Sequence, residues 1–130
     1  MSNNFDNKRP IYQQIIDRIL TSIAKGEMAP GEKVASVRVM ALYYGVNPNT
    51  IQKSLAKLEE MGYLRAERTS GRYVTSDAAT IAALKTRIPD TIIGDFVAEM
   101  IGLGIAKPEI PHHVKEYIER VDKDGKDIAN

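Results

Sequence analysis

The run from Val34 to Val74, V-A-S-V-R-V-M-A-L-Y-Y-G-V-N-P-N-T-I-Q-K-S-L-A-K-L-E-E-M-G-Y-L-R-A-E-R-T-S-G-R-Y-V, constrains the fold more than any other stretch of the chain. After Ser36, whose hydroxyl can cap a first helical turn, Val37, Met40, Ala41 and Tyr44 recur at helical spacing. Gly45 stops this helix, because it can take the left-handed backbone that most residues avoid. Asn47 is placed to cap a second helix, with Pro48 at its first position, where no amide hydrogen is needed. Ile51, Leu55 and Leu58 form the apolar stripe of the second helix, and Gly62 ends it. Off that stripe, Asn47, Asn49, Thr50, Gln52 and Lys53 crowd the start of the second helix. Amides, hydroxyls and an ammonium are the groups that bond base edges and phosphates. Two helices so spaced, the second polar at its N-terminal end, have a helix-turn-helix layout. Periodicity alone fits an ordinary solvated helix surface equally well.

The flanking segments predict the rest of the unit. Pro10 opens a helix to about Lys25, with Ile11, Ile15 and Ile19 widened by Ile16, Leu20 and Ile23, and Gly26 ends it. Residues up to Asn7 are polar and aperiodic, and are expected to be mobile. Pro30-Gly31 marks a turn, and Lys33 to Ala35 suit a short first strand. Tyr63 to Arg68 and Arg72 to Thr75 read as a hairpin around Thr69-Ser70-Gly71. Arg65, Arg68 and Arg72 make this hairpin basic, and which of them faces a ligand depends on strand register.

G-V-N-P-N-T-I-Q-K, preceded by S-V-R and followed by L-E-E-M-G-Y-L, resembles the winged helix-turn-helix of the GntR family of bacterial transcription regulators. P-I-Y-Q-Q-I and G-E-M-A-P-G-E-K-V extend the match to about Arg9 to Thr75. The resemblance implies an α+β winged helix-turn-helix DNA-binding domain over residues 9–75. The residues expected to meet DNA are Ser36, Arg38, Asn47, Asn49, Thr50, Gln52 and Lys53, with Arg68, Ser70 and Arg72 in the wing. The arginine at the place of Arg38 contacts DNA in the family. The chain departs from the family pattern in three places. Val39 stands where the family usually has the Glu of a capping box, Ala35 where it commonly has Pro, and Thr69 where it often has the first glycine of the wing tip.

Charge supports this assignment weakly. The chain carries a net +1. Residues 1–75 hold 11 Lys+Arg against 7 Asp+Glu, a net +4, and residues 76–130 hold 7 against 10, a net −3. The basic excess sits on the segment with the recognition motif. Cysteine is absent, which removes disulfides and thiolate metal sites. No run is long and apolar enough for a transmembrane helix, and the N-terminus lacks the apolar core of a secretory signal; a cytoplasmic protein is expected.

From Asp77 the pattern changes to an all-helical tail, residues 76–121. Asp77 suits the cap of a helix over Ala78 to Ile88, Pro89 is expected to break it, and Asp90 to cap the next, from Thr91 to about Leu103. Ile92, Ile93, Phe96, Val97, Met100 and Ile101 form a stripe broader than a two-helix unit buries alone. A last helix, starting between Pro108 and Pro111, places Ile110, Val114, Tyr117, Ile118 and Val121 on one face, and the charged residues 122–130 are expected to be disordered. The tail resembles that of the YtrA-type subgroup, which implies dimerisation through it, and it is too short to enclose a metabolite easily.

Adjacent His112 and His113 diverge by about 100° on a helix and do not chelate together. No nucleotide-binding or catalytic motif is present. The expectation is therefore a homodimeric regulator of transcription on double-stranded DNA at a palindromic operator, neither an enzyme nor a user of metal or cofactor. Repression is what the resemblance implies. A protein-interaction winged helix and a small-molecule sensor are the competing readings.

Overall fold

A computed structural model describes residues 5–124. Its elements are α1 (Ile11–Lys25), α2 (Val37–Tyr44), α3 (Pro48–Glu60), β1 (Leu64–Glu67), β2 (Gly71–Val74), α4 (Ala78–Gly102), a short 3-10 turn (Lys107–Glu109) and α5 (Ile110–Lys123). The contacts divide the chain after Ile88 into two compact units.

The apolar stripes read from the sequence build the core of the first unit. Ile15 and Ile19 of α1, Met40 and Ala41 of α2, Ile51, Leu55 and Leu58 of α3, and Leu64 and Val74 of the hairpin are all buried. The side chain of Ser54, fully buried, ties α3 to α1: its hydroxyl lies 2.9 Å from the Tyr12 carbonyl oxygen and 3.1 Å from that of Thr50. A buried hydroxyl left without such a partner would cost about 1–3 kcal/mol.

β1 and β2 pair antiparallel, with Leu64 opposite Val74, Arg65 opposite Tyr73, Ala66 opposite Arg72 and Glu67 opposite Gly71. Gly71 begins β2 at φ 117°, a backbone that side-chain-bearing residues rarely adopt. The expected first strand at Lys33 is reduced to a single bridge, Lys33 to Tyr73, flanked by bonds from the Val34 amide to the Arg72 carbonyl and from the Val74 amide to the Glu32 carbonyl.

The segment before α1 is anchored where mobility was expected. The Phe5 ring packs 6.3 Å from that of Tyr44 and beneath the Arg18 guanidinium. Buried Gln14 accepts from the Asp6 amide and donates to the Asp6 and Arg9 carbonyls. Residues 1–4 lie outside the described residues.

Asp77 caps α4 as expected, accepting from the Ala79 amide and the Thr80 hydroxyl. The expected break at Pro89 and the cap at Asp90 do not occur, because helical backbone continues through both. Proline fits the φ of a helix and removes one bond, to the carbonyl four residues earlier. That residue is Lys85, which lies on the exposed side of α4. Leu84 is fully buried in the core of the first unit, with Ile81 and Ile88 packed against that core. In the second unit α5 reaches Lys123, beyond the expected end at 121, and 125–130 lie outside the described residues. No helix among the described residues is long and apolar enough to cross a membrane.

Candidate nucleic-acid interface

Burial of Ile51, Ser54, Leu55 and Leu58 leaves the opposite face of α3 to the solvent. Asn47, Asn49, Gln52 and Lys53 are exposed on it, and Thr50 is half-buried. The Asn47 carbonyl oxygen Oδ1 accepts from the Asn49 amide at 2.7 Å, so this residue is the cap that starts the helix. Ser36 caps α2 in the same way, accepting from the Val39 amide at 3.2 Å. Val39 supplies no return bond, and stands exposed with Leu42 and Tyr43 on the outer side of α2.

The polar side chains fall into two groups. Arg38 and Arg68 are exposed and have no carboxylate or aromatic partner among the described residues. Lys53 and Arg72 are engaged within the protein. The Lys53 ammonium sits 4.0 Å from the centre of the Tyr12 ring, a cation–π contact with α1. Arg72 reaches α3, with Nη2 donating to Gln52 Oε1 at 3.3 Å and Nε 3.5 Å from Glu59 Oε2.

Strand register explains where the hairpin arginines stand. Alternate residues of a strand share a face, so Leu64, Ala66, Arg72 and Val74 stand together, and Leu64 and Val74 are buried. Arg65 stands on the other face with Tyr73 and Glu67, pairing with the Glu67 carboxylate and lying over the Tyr73 ring. Arg68 and Ser70 occupy the turn itself, where the Tyr73 hydroxyl donates to Ser70 Oγ at 2.9 Å. Lys33, to which the sequence gives no role beyond opening a strand, bridges to Tyr73 and so adds a cation beside the wing. Only the expected first strand at Lys33 to Ala35 hinted at this.

One titrating group on these elements is shifted. Burial pushes the Tyr44 phenol above its ordinary value; the neighbouring Tyr43 acts in the same direction, and Arg18 opposes both.

The second unit carries the apolar stripe. Ile92 and Ile93 are more than half exposed, at 62% and 55%, Phe96 and Ile101 are also exposed, and Val97 and Met100 are half-buried. With the exception of Ile101 they line an open groove of about 1050 Å³, closed on its other side by Ile110, Val114, Tyr117 and Ile118.

A comparison with family models matches residues 11–74 to bacterial regulatory proteins of the gntR family. The HTH-type transcriptional repressor YtrA of Bacillus subtilis is 32% identical over 123 residues, covering 90% of this chain and 88% of the repressor. A GntR family transcriptional regulator from Listeria monocytogenes superposes with a TM-score of 0.76 at 40% identity, over 86% of this chain and 98% of that one. The AraR DBD, crystallised in complex with operator ORR3, superposes with a TM-score of 0.51 at 25% identity, over 55% of this chain and 87% of that one.

Proposed function

The chain belongs to the GntR family and is a DNA-binding transcription regulator, not an enzyme, and from that premise we propose that it acts as a homodimeric repressor on a palindromic operator. The observation that carries the reading is the polar N-terminal end of α3, exposed and set on a rigid buried stripe. A helix fits the major groove, and there Asn49, Thr50 and Gln52 read base edges. Arg38 and Arg68 hold phosphates, because their charges are unspent within the protein. Lys53 stands near the same phosphates but shares its charge with Tyr12. Ser36 and Asn47 act indirectly, capping the helices whose positive ends face the backbone. Ser70 and the wing turn lie along the neighbouring groove. The site of action is the cytoplasm, where the operator is.

The apolar groove of the second unit supports dimerisation. Its lining from α4 and α5 is water-exposed in a single chain, and a second copy would cover it. A two-fold dimer demands an operator of matching symmetry. Repression follows where the operator overlaps a promoter, in line with the repressor relative. Selection of bound duplexes from a random pool, followed by sequencing, tests the proposal. It should yield one motif with inverted half-sites. Enrichment of a single asymmetric site, or of none, would refute the dimeric operator reading.

A further inference from the structure

Arg72 shares a strand face with the buried Leu64 and Val74, and its side chain is only 24% exposed. It crosses to α3 and touches two residues on one line of that helix, Gln52 and Glu59, seven positions and about two turns apart. Its Nε atom is buried, with Glu59 at ion-pair range but not in hydrogen-bonding geometry. The guanidinium is thus held between a carboxylate and an amide. A guanidinium has five N–H donors and no acceptor, so only the oxygen of the Gln52 amide can face it. This contact fixes an orientation that a free glutamine would leave open.

We infer that Arg72 is a positioning residue that sets which hydrogen-bonding group Gln52 offers to DNA. The inference rests on the reading of α3 as the recognition helix. A free glutamine pairs with adenine in two directions at once, accepting from N6 and donating to N7. Arg72 occupies one of the two acceptor sites of Oε1 and competes for the other, so Gln52 offers mainly its two N–H donors, and the Nε2 atom has no partner among the described residues. An amide that offers mainly donors suits edges rich in acceptors, those of guanine through O6 and N7 or of thymine through O4. Glu59 holds the arginine in place and shares its charge, so Arg72 is not counted among the phosphate contacts.

The test compares the selected motifs and salt dependence of the full-length wild type and of Arg72→Ala, Glu59→Gln, Gln52→Ala and the double variant Arg72→Ala/Gln52→Ala. Arg72→Ala should move the preference at one base pair of each half-site towards adenine by roughly ten-fold, within the span of a single bidentate contact. The slope of log affinity against log salt should stay unchanged, and the double variant should select the same motif as Gln52→Ala. Glu59→Gln should shift the same base pair in the same direction, and it covers the case in which Arg72→Ala fails to fold. An unchanged motif with affinity lost evenly across sequences and a slope lower by about one would make Arg72 a phosphate contact and overturn the inference. A wild type that selects no motif would instead overturn the recognition-helix reading, and this inference with it.

Discussion

Arg38 and Arg68 carry charges that no carboxylate among the described residues neutralises, and that condition makes a surface arginine available to phosphate. Each phosphate contact releases condensed counterions. Arg38→Ala and Arg68→Ala should each lower the salt slope by about one and weaken binding evenly across sequences, as titrations at several salt concentrations would reveal. Asn49→Ala should behave differently, relaxing preference at one base pair by about 1–3 kcal/mol with little effect on the slope. Arg65, neutralised by Glu67, should matter less than either free arginine. The residue types at these positions were legible in the sequence, but their pairings were not. Lys53 meets Tyr12 and Arg72 meets Glu59 across elements far apart in the chain, and no local spacing encodes such encounters. Tyr44 belongs at this scale too. Its raised pKa means that the folded state holds the phenol proton more tightly than the unfolded chain does. That contribution to stability is complete below the ordinary value of 10.0 and is lost as pH rises from there through the folded value. Tyr44→Phe should therefore flatten part of the alkaline fall in stability measured by urea unfolding, and an identical pH profile would remove Tyr44 as its source.

At the scale of elements, α3 is where local signals and tertiary packing agree. Asn47, Pro48 and Gly62 mark its ends in the sequence, and the stripe of Ile51, Leu55 and Leu58 is buried as the spacing implied. Leu55→Ala should cost about 2–5 kcal/mol of stability, because it removes side-chain contacts and leaves a cavity the core cannot fully close. Ser54→Ala removes the hydroxyl facing the Tyr12 carbonyl and should cost less, about 1–2 kcal/mol. Both would shift the denaturant midpoint, and neither should alter the selected motif of the protein that remains folded. At α4 local signals misled. Pro89 resembles a stop signal, yet its φ is compatible with a helix, and α4 continues through it despite one lost bond and a crowded carbonyl. The buried Leu84 in the first core likewise follows from packing that the chain pattern around it does not announce.

At the scale of the whole molecule, one winged unit covers one short half-site, and its contact area limits both affinity and discrimination. Linking two such units makes the second binding event intramolecular, which raises affinity without any new contact to DNA. The surface able to supply that link is the groove bearing Ile92, Ile93, Phe96, Val97 and Met100, which faces α5 across open apolar space. Phe96→Asp places a carboxylate where two apolar faces would meet. Burying it without a partner is unfavourable by several kcal/mol, so the variant should be monomeric. Phe96 lies beyond Ile88, where the first unit ends, so the winged unit should keep its fold and its melting transition. The monomer should retain weak, salt-sensitive binding to any duplex and lose tight binding to the selected palindrome. Sedimentation of both proteins at micromolar concentration, set beside their affinities for full and half operators, measures each part of this. A wild type that sediments as a monomer yet binds the full palindrome tightly would exclude the groove as the dimer interface. A Phe96→Asp protein that remains dimeric would move the interface to another surface, with the exposed Val39, Leu42 and Tyr43 of α2 the next to test.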